Sequence, residues 1–251
     1  MDKQETSKIF NKQWQQTVEE GSAAFGVKLS QMQLELFTFH AQELIKWNSR
    51  FNITAIVEPF DVALKHFIDS IAAAPLILDG SKVIDLGSGG GFPGMPLKIV
   101  KPSLEVVMAD SSEKKVNFLK YLISQMRLIE DKFISQNSST KVAAIGFCAK
   151  EKSVKAIHCR AEELCKSPDY AHQFDYVISR AFTSLSKFTD MALPFLKNNG
   201  VILAMKGELK EDELNLIINR KDITTEISEY VLPFEPHKRC VVKIKIINIS
   251  E

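Results

Sequence analysis

The sequence predicts an α/β fold in which a mostly parallel, doubly wound sheet follows a set of helices and ends in an antiparallel hairpin. Three observations indicate this fold. Short β-branched runs alternate with helical patterns from residue 82 onward, a glycine-dense turn joins the first run to a helix, and two extended runs close the chain around a proline-containing turn. The 251 residues, 45% of them hydrophobic, can bury one α/β core with an added segment. Two full domains are not expected.

Helical patterns occupy the first part of the chain. Aromatic residues recur at four-residue spacing in the earliest of them, and Ser30-x-x-Gln33 then has the form of a capping box. Pro59 has the place of a first-turn proline in a third helix. We therefore expect a helical cap over residues 1–75 and a sheet-containing domain over residues 76–251.

The later chain alternates strand with helix as a parallel sheet requires. The predicted strands are Lys82–Asp85, Glu105–Asp110, Val154–Cys159, Phe174–Ser179 and Gly200–Met205, followed by the paired runs Glu226–Phe234 and Cys240–Ile247. A polar, lysine-rich stretch at residues 130–152 is longer than a usual connection and is expected to be an insertion, either a solvated loop or an extension of an RNA-binding surface.

Composition limits the classes of function. The 32 basic and 31 acidic side chains balance, so any contact with nucleic acid is expected from a local patch with few phosphate contacts and a modest salt dependence. The four cysteines form no C-x-x-C pair and no metal-like cluster, which favours reduced thiols in a cytoplasm and no metal. The sequence has no secretory signal and no membrane-length apolar run, so no membrane contact is expected.

The glycine-dense turn is the strongest indication of a ligand. Asp85 ends a β-branched run, and Gly87, Gly89 and Gly91 follow at alternate positions, which leaves a bare backbone that a small molecule can approach. The same glycines fit a dinucleotide fingerprint, so an NAD-dependent oxidoreductase is one interpretation. A carboxylate at the strand end opposes a pyrophosphate, however, and favours a ligand with a positive centre such as S-adenosylmethionine.

Further candidates follow the other strands, because ligands of open parallel sheets bind beyond the carboxyl ends of the strands. Asp110 is placed to bind ribose hydroxyls or to cap the next helix, and Ala161 and Glu162 to line an adenine. Arg180, in an apolar context, is costly unless it is paired or bound to an anion, and Lys206 could meet a phosphate or be exposed.

Several linked motifs resemble one family, the RsmG (GidB) bacterial 16S ribosomal RNA guanine-N7 methyltransferases. The matching segments are His66 to Ser70, Asp85 to Gly94, Asp110-Ser111 with Lys114-Lys115 and Phe118-Leu119, Arg160 to Glu163, Ser179 to Ala181, and Met205 to Gly207. The resemblance implies a class I methyltransferase (Rossmann-like) fold, S-adenosyl-L-methionine as cofactor, and methylation of a guanine near the decoding region. The cofactor contacts that it implies are Gly87, Phe92, Ala161, Glu162 and Arg180.

The implied acceptor determines the expected chemistry. Guanine N7 has an in-plane lone pair and no proton, so no general base is needed and positioning should dominate. Arg180, His66 and Asp69 are therefore predicted as positioning residues. The candidate RNA contacts are Arg50, Lys65, Lys114, Lys206, Lys238 and Arg239. A monomer is expected, and a non-catalytic ribosome-binding module is the second alternative.

Overall fold

The computed structural model describes residues 9–136, 153–180 and 183–247. Its strands are β1 (Lys82–Leu86), β2 (Glu105–Asp110), β3 (Val154–His158), β4 (Phe174–Arg180), β5 (Leu196–Lys206), β6 (Ile223–Val231) and β7 (Lys238–Ile246). Within these ranges the strands form a seven-stranded sheet in the order β3-β2-β1-β4-β5-β7-β6. The pairs among β1 to β5 are parallel, and β7 runs antiparallel to both β5 and β6. The predicted fold class is confirmed.

Eight helices and two short 3-10 helices, Ala74–Leu76 and Leu193–Phe195, accompany the sheet in the described ranges; only the eight are numbered. They are α1 (Lys12–Ala23), α2 (Gln31–Phe51), α3 (59–71), α4 (Gly94–Val100), α5 (Glu113–Gln136), α6 (Ala161–Leu164), α7 (Leu185–Ala192) and α8 (Glu211–Ile218). Segment α3 is composite, because α-helical turns at Pro59–Asp61 and Asp69–Ile71 flank a π-helical stretch at Val62–Ile68. Across the described ranges, no helix has the length and hydropathy needed to span a membrane.

The capping box predicted at the start of α2 is confirmed. The Ser30 hydroxyl accepts a hydrogen bond from the backbone N–H of Gln33, and the Gln33 side chain accepts one from the backbone N–H of Ser30. The amide nitrogen of the same Gln33 side chain donates to the carbonyl of Ile99 at 2.7 Å, so the cap also fixes α2 against α4. Pro59 begins α3, as its first-turn position predicts.

Helices cover both faces of the sheet. Because side chains alternate along each strand, neighbouring residues of one strand belong to two different cores. Val83 and Ile178 belong to the core beneath α1 to α5, whereas Ile84 and Val177 belong to the core beneath α6, α7 and α8. The aromatic side chains of the first helices belong to the same core as the sheet side chains. The division into a cap of residues 1–75 and a domain of residues 76–251 stays a prediction.

Both strands of the C-terminal hairpin lie earlier than predicted, β6 by three residues and the start of β7 by two. Strand β6 ends at Val231 rather than Phe234, and β7 begins at Lys238 rather than Cys240. Pro233 and Pro236 lack the N–H that a strand ladder uses, so pairing stops before the first proline and resumes after the second. Of the predicted 130–152 insertion, residues 130–136 are the end of α5, and residues 137–152 lie outside the described ranges.

Candidate active site

The glycine turn after β1 has the conformation that its sequence predicts. Gly87, Gly89 and Gly91 have φ values of 73°, 56° and 95°, which are in the left-handed region that side-chain-bearing residues seldom adopt. The backbone N–H of Gly89 donates to a carboxylate oxygen of Asp110 at 2.9 Å. This bond fixes the turn to the carboxyl end of β2.

A cavity of about 450 Å³ opens at the carboxyl ends of the parallel strands. Five residues predicted from the sequence line it, namely Gly87, Asp110, Ala161, Glu162 and Arg180. The lining also includes Leu86, Ala109, Ser111, Lys115, Cys159, Arg160 and Met191, which were not predicted as ligand contacts. Five of these seven are among the last two residues of a strand or the first two after it, so their place at a strand end was the available signal; they are Leu86, Ala109, Ser111, Cys159 and Arg160.

The Asp110 carboxylate bonds to two backbone segments, and its role in binding ribose hydroxyls stays a prediction. Its Oδ2 accepts from the Gly89 N–H and its Oδ1 accepts from the Ser112 N–H at 2.8 Å, so the carboxylate organises both the glycine turn and the start of α5. Each carboxylate oxygen has two lone pairs. Asp110 therefore keeps acceptor capacity on the cavity side for ligand hydroxyl groups.

Asp85 does not face the cavity, which corrects the prediction of a direct ligand contact. Its side chain is fully buried on the sheet face beneath α4, and its Oδ2 accepts from the Gly94 N–H at 2.8 Å. The Oδ1 atom has no hydrogen-bond partner among the described residues. Burial raises the pKa of this carboxyl to about 7, although the Gly94 bond acts in the opposite direction. Asp85 thus stabilises the glycine turn from the side away from the cavity, through its hydrogen bond with Gly94 at the start of α4.

Phe92 is also behind the cavity wall rather than in its lining. The ring is 4% exposed and is stacked between two histidines, with ring centroids 4.7 Å from His40 and 4.4 Å from His66. The guanidinium carbon of Arg180 is 5.3 Å from the Phe92 centroid. Phe92 is consequently a packing residue of the core behind the cavity wall. The neighbouring Gly91 lies against Leu119.

The three predicted positioning residues form one cluster. The Arg180 side chain donates through Nη1 to the Lys65 carbonyl and to Asp69 Oδ2 at 3.3 Å, and through Nη2 to His66 Nδ1 at 2.8 Å. Because arginine only donates, His66 Nδ1 is the acceptor and its proton is on Nε2, which donates to Thr54 Oγ1 at 2.9 Å. Burial, and then the nearby positive charge of Arg180, lower the pKa of His66 to about 2. His66 is therefore neutral.

The π-helical stretch of α3 is the part of the helix that Arg180 contacts. In a π-helix the backbone bonds run from residue i to i+5, and such segments occur often at functional sites. The Asp69 N–H bonds to the Leu64 carbonyl in this manner, while the carbonyl of Lys65 accepts from Arg180. Nothing in the sequence pattern predicted this irregularity.

Asp69 joins more elements than its sequence context indicated. In addition to Arg180, it accepts from the Tyr230 hydroxyl at 2.7 Å and forms an ion pair with Arg239 at 3.6 Å. Its side chain is 4% exposed, so these partners offset the cost of burying a carboxylate. Burial and then the Asp69 charge raise the pKa of Tyr230. Tyr230 was missed, because a tyrosine in a strand pattern is usually a packing residue.

The predicted RNA contacts separate into two groups. Four of them are already paired with carboxylates: Lys65 with Asp61 (2.9 Å) and Glu235 (3.2 Å), Lys206 with Glu213 (2.7 Å), Lys238 with Glu229 (2.9 Å), and Arg239 with Glu235 (3.2 Å). Lys206 is also only 16% exposed, which argues against its prediction as a phosphate contact. Arg50 and Lys114 are exposed, and neither has an ion-pair partner in the described ranges.

Comparisons with known proteins show the family of the chain. The model of the family described as GidB, rRNA small subunit methyltransferase G, matches residues 33–144 and 142–239. A ribosomal RNA small subunit methyltransferase G of Acetivibrio thermocellus is 37% identical over 232 residues, which cover 90% of this chain and 86% of that protein. The protein with the same name from Geobacter sp. strain M21 is 36% identical over 231 residues, covering 90% and 95%.

Solved structures show similarity of fold. A SAM-dependent methyltransferase from Aquifex aeolicus superimposes with a TM-score of 0.52 at 16% identity, over 78% of this chain and 97% of that one. An O-methyltransferase from Bacillus cereus in complex with SAH has a TM-score of 0.53 at 13% identity, over 83% and 91%. Both structures share the fold of this chain over most of its length.

Proposed function

Because the chain belongs to the rRNA small subunit methyltransferase G (GidB) family, we propose that it transfers a methyl group from S-adenosyl-L-methionine to N7 of a guanine near the decoding region of 16S ribosomal RNA. The observation that carries this proposal is the cavity at the strand ends, where Gly87, Asp110 and Arg180 meet. When bound, the cofactor supplies an electrophilic methyl group on a sulfonium. We further propose that the chain is a monomer and acts in the cytoplasm on the small ribosomal subunit or its RNA.

The residues of the cavity fit this cofactor. Gly87 leaves backbone bare at the cavity wall, and Asp110 has acceptor capacity for the two ribose hydroxyls. Ala161 and Glu162, at the start of α6, would line the adenine. Arg180 is a cation of the same lining with a side chain 16% exposed, and it would hold the cofactor carboxylate or guanine O6.

The cluster around Arg180 suits a reaction without a general base. Both ring nitrogens of His66 are engaged, Nδ1 by Arg180 and Nε2 by Thr54, so neither is available to take a proton from a substrate. Guanine N7 needs no deprotonation before it attacks a methyl group. The contribution of Arg180, His66 and Asp69 is then to hold the reacting groups in line and to exclude water.

The decisive experiment uses the purified chain with radiolabelled S-adenosylmethionine. Protein-free small-subunit RNA and assembled small subunits are each offered as acceptor, and the methylated nucleoside is identified after digestion. We expect label in 7-methylguanosine with at least one of the two substrates. Binding of NADH without binding of S-adenosylmethionine would instead support the oxidoreductase, and RNA binding without transfer would support the non-catalytic module.

His66 should add no pH dependence to the chemical step in the range where histidine usually titrates, so the pH profile of His66→Asn should have the same shape as that of the wild type. Since the pKa of His66 is far below 6.5, the residue stays neutral from pH 5.5 to 8. His66→Asn supplies an amide oxygen that can accept from Arg180 in place of Nδ1, so we expect a rate loss below about tenfold, less than removal of a general base causes. Single-turnover methylation with both substrates bound measures this.

One outcome of the same pH series would contradict the prediction. A rate that rises with pH in the wild type, with an apparent pKa near 6.5 that is absent from His66→Asn, would show that His66 accepts a proton. The acceptor atom would then be one that has to be deprotonated, and N7 would be wrong.

A further inference from the structure

A cluster of aromatic and basic side chains lies where the end of α2 meets the start of α5. The Phe51 ring is 38% exposed, its centroid is 5.4 Å from that of Trp47, and the ammonium of Lys114 is 6.0 Å from it. Trp47 in turn packs against Tyr121 at 5.4 Å. With the exposed side chain of Arg50, these residues form what is called here the α2–α5 surface.

The charge of this surface is not neutralised by the protein. Arg50, Lys114, Lys115 and Lys120 form no ion pair with any carboxylate in the ranges that the structure describes. Four cations at or near the C-terminal hairpin differ, because each is paired with an acidic side chain; they are Lys65, Lys206, Lys238 and Arg239. An anionic polymer therefore meets uncompensated positive charge at the α2–α5 surface and must displace carboxylates from these four residues.

The α2–α5 surface adjoins the cavity. Helix α5 begins three residues after Asp110, and Lys115 in its first turn is part of the cavity lining. Helix α2 packs on the glycine turn so closely that a Cβ at Gly90 would lie 2.9 Å from the Leu44 side chain. A strand of nucleic acid on this surface is thus within a short distance of the reacting groups.

We propose that the α2–α5 surface binds a single-stranded segment of the substrate RNA, with one unpaired base stacked on Phe51 and phosphates at Lys114 and Arg50. The inference rests on the proposed function and adds the place at which the substrate docks. Unpaired RNA bases are recognised by stacking on aromatic rings, and cations beside the ring bind the backbone. Phe51, held from below by Trp47 and flanked by Lys114, provides both.

A second exposed aromatic pair offers a direct comparison. Phe60 and Phe234 are 51% and 62% exposed, with ring centroids 6.1 Å apart. The nearby cations Lys65 and Lys238 are paired with Asp61, Glu235 and Glu229. Exposed aromatic surface is present on both sides of the molecule, and the uncompensated charge favours the α2–α5 surface.

The test measures binding of protein-free small-subunit RNA over a range of salt concentrations. Phe51→Leu keeps apolar contact with Trp47 but removes the aromatic face, and it should weaken RNA binding about tenfold. The double variant Arg50→Ala/Lys114→Ala should lower the log–log salt slope by about 1.4, roughly 0.7 for each lost phosphate contact with single-stranded RNA. Affinity for S-adenosylmethionine, measured by calorimetry, should not change in either variant.

Two controls match these changes. Lys245→Ala removes an exposed lysine on β7, next to the edge strand β6, and Phe234→Ala removes a more exposed aromatic ring than Phe51; neither should alter RNA affinity. Unchanged affinity and slope in the Phe51 and Arg50/Lys114 variants would overturn the proposal, as would a loss of RNA affinity in Phe234→Ala. Failure of the proposed function is distinct, because it would appear as absent methylation by the wild-type chain.

Discussion

Replacing Arg180 by alanine is expected to lower the single-turnover rate of methylation roughly 10²- to 10³-fold, the size of effect seen when one preorganised donor is removed from an active site. The guanidinium lines the cavity and makes hydrogen bonds to Lys65, His66 and Asp69 at once. Its loss also removes one of three partners of the buried Asp69 carboxylate, and because Arg239 and Tyr230 still contact Asp69, it should cost about 1.5–3 kcal/mol of unfolding free energy. Labelled methyl transfer and urea denaturation measure the two effects.

Two further arginine variants separate charge from geometry. Arg180→Lys keeps a positive charge but cannot reach three acceptors with a planar fork, so most of the rate loss should persist while part of the stability returns. Arg220→Ala is the surface control, because Arg220 also pairs with two carboxylates, Asp190 and Asp222, outside the cavity. Equal rate losses for Arg180→Ala and Arg220→Ala would refute a role at the reacting groups.

Gly89→Val is expected to weaken S-adenosylmethionine binding roughly 100-fold, equivalent to about 2.8 kcal/mol. Gly89 is not itself in the cavity lining, but its N–H bonds to the lining residue Asp110 and it follows the lining residue Gly87 by two positions, so a change in its backbone displaces both. A Cβ at this position meets no atom closer than the Gly87 carbonyl at 3.9 Å, so valine causes no direct clash. The φ of 56° adds backbone strain of about 1–3 kcal/mol, which lowers stability. Isothermal titration calorimetry gives the affinity and thermal unfolding gives the stability.

Gly80 supplies a matched control for the strain. Its φ is 77°, and a Cβ there has no atom within 4 Å, but it lies before β1 and does not line the cavity. Gly80→Val should therefore lose stability to a similar extent and bind S-adenosylmethionine like the wild type. If both variants lost affinity equally, the glycine turn would have no specific part in binding.

The sequence predicted those parts of the fold that local chemistry determines. The strands follow from short β-branched runs, and the start of α2 follows from a capping box between Ser30 and Gln33. Boundaries were less accurate where two signals competed. In the hairpin, the β-branched pattern continued past Val231 into prolines, and the missing N–H groups ended the strand first.

The sequence predicted which strand ends form the candidate site, but not the direction in which each side chain points. Asp110, Ala161 and Arg180 line the cavity because each ends or follows a parallel strand, a property that spacing reveals. Asp85 ends its run as well, yet strand alternation directs it beneath α4, away from the cavity. Tyr230 contacts Asp69 across 161 residues of sequence, and no local pattern can encode such a contact.

The meeting of three distant segments at Asp69 has a consequence for synthesis of the chain. Arg180 lies 111 residues beyond Asp69 and Tyr230 lies 161 residues beyond it. A nascent chain that has emerged as far as β5 already contains every residue of the cavity lining, but it lacks Tyr230 and Arg239 and leaves one edge of β5 without its partner β7. Long-range closure of this kind is slow compared with helix formation. The hairpin is therefore the last element to join the active site. A polypeptide released before the hairpin is made would contain the cavity residues, but Asp69, which binds Arg180, would lack its contacts with Tyr230 and Arg239.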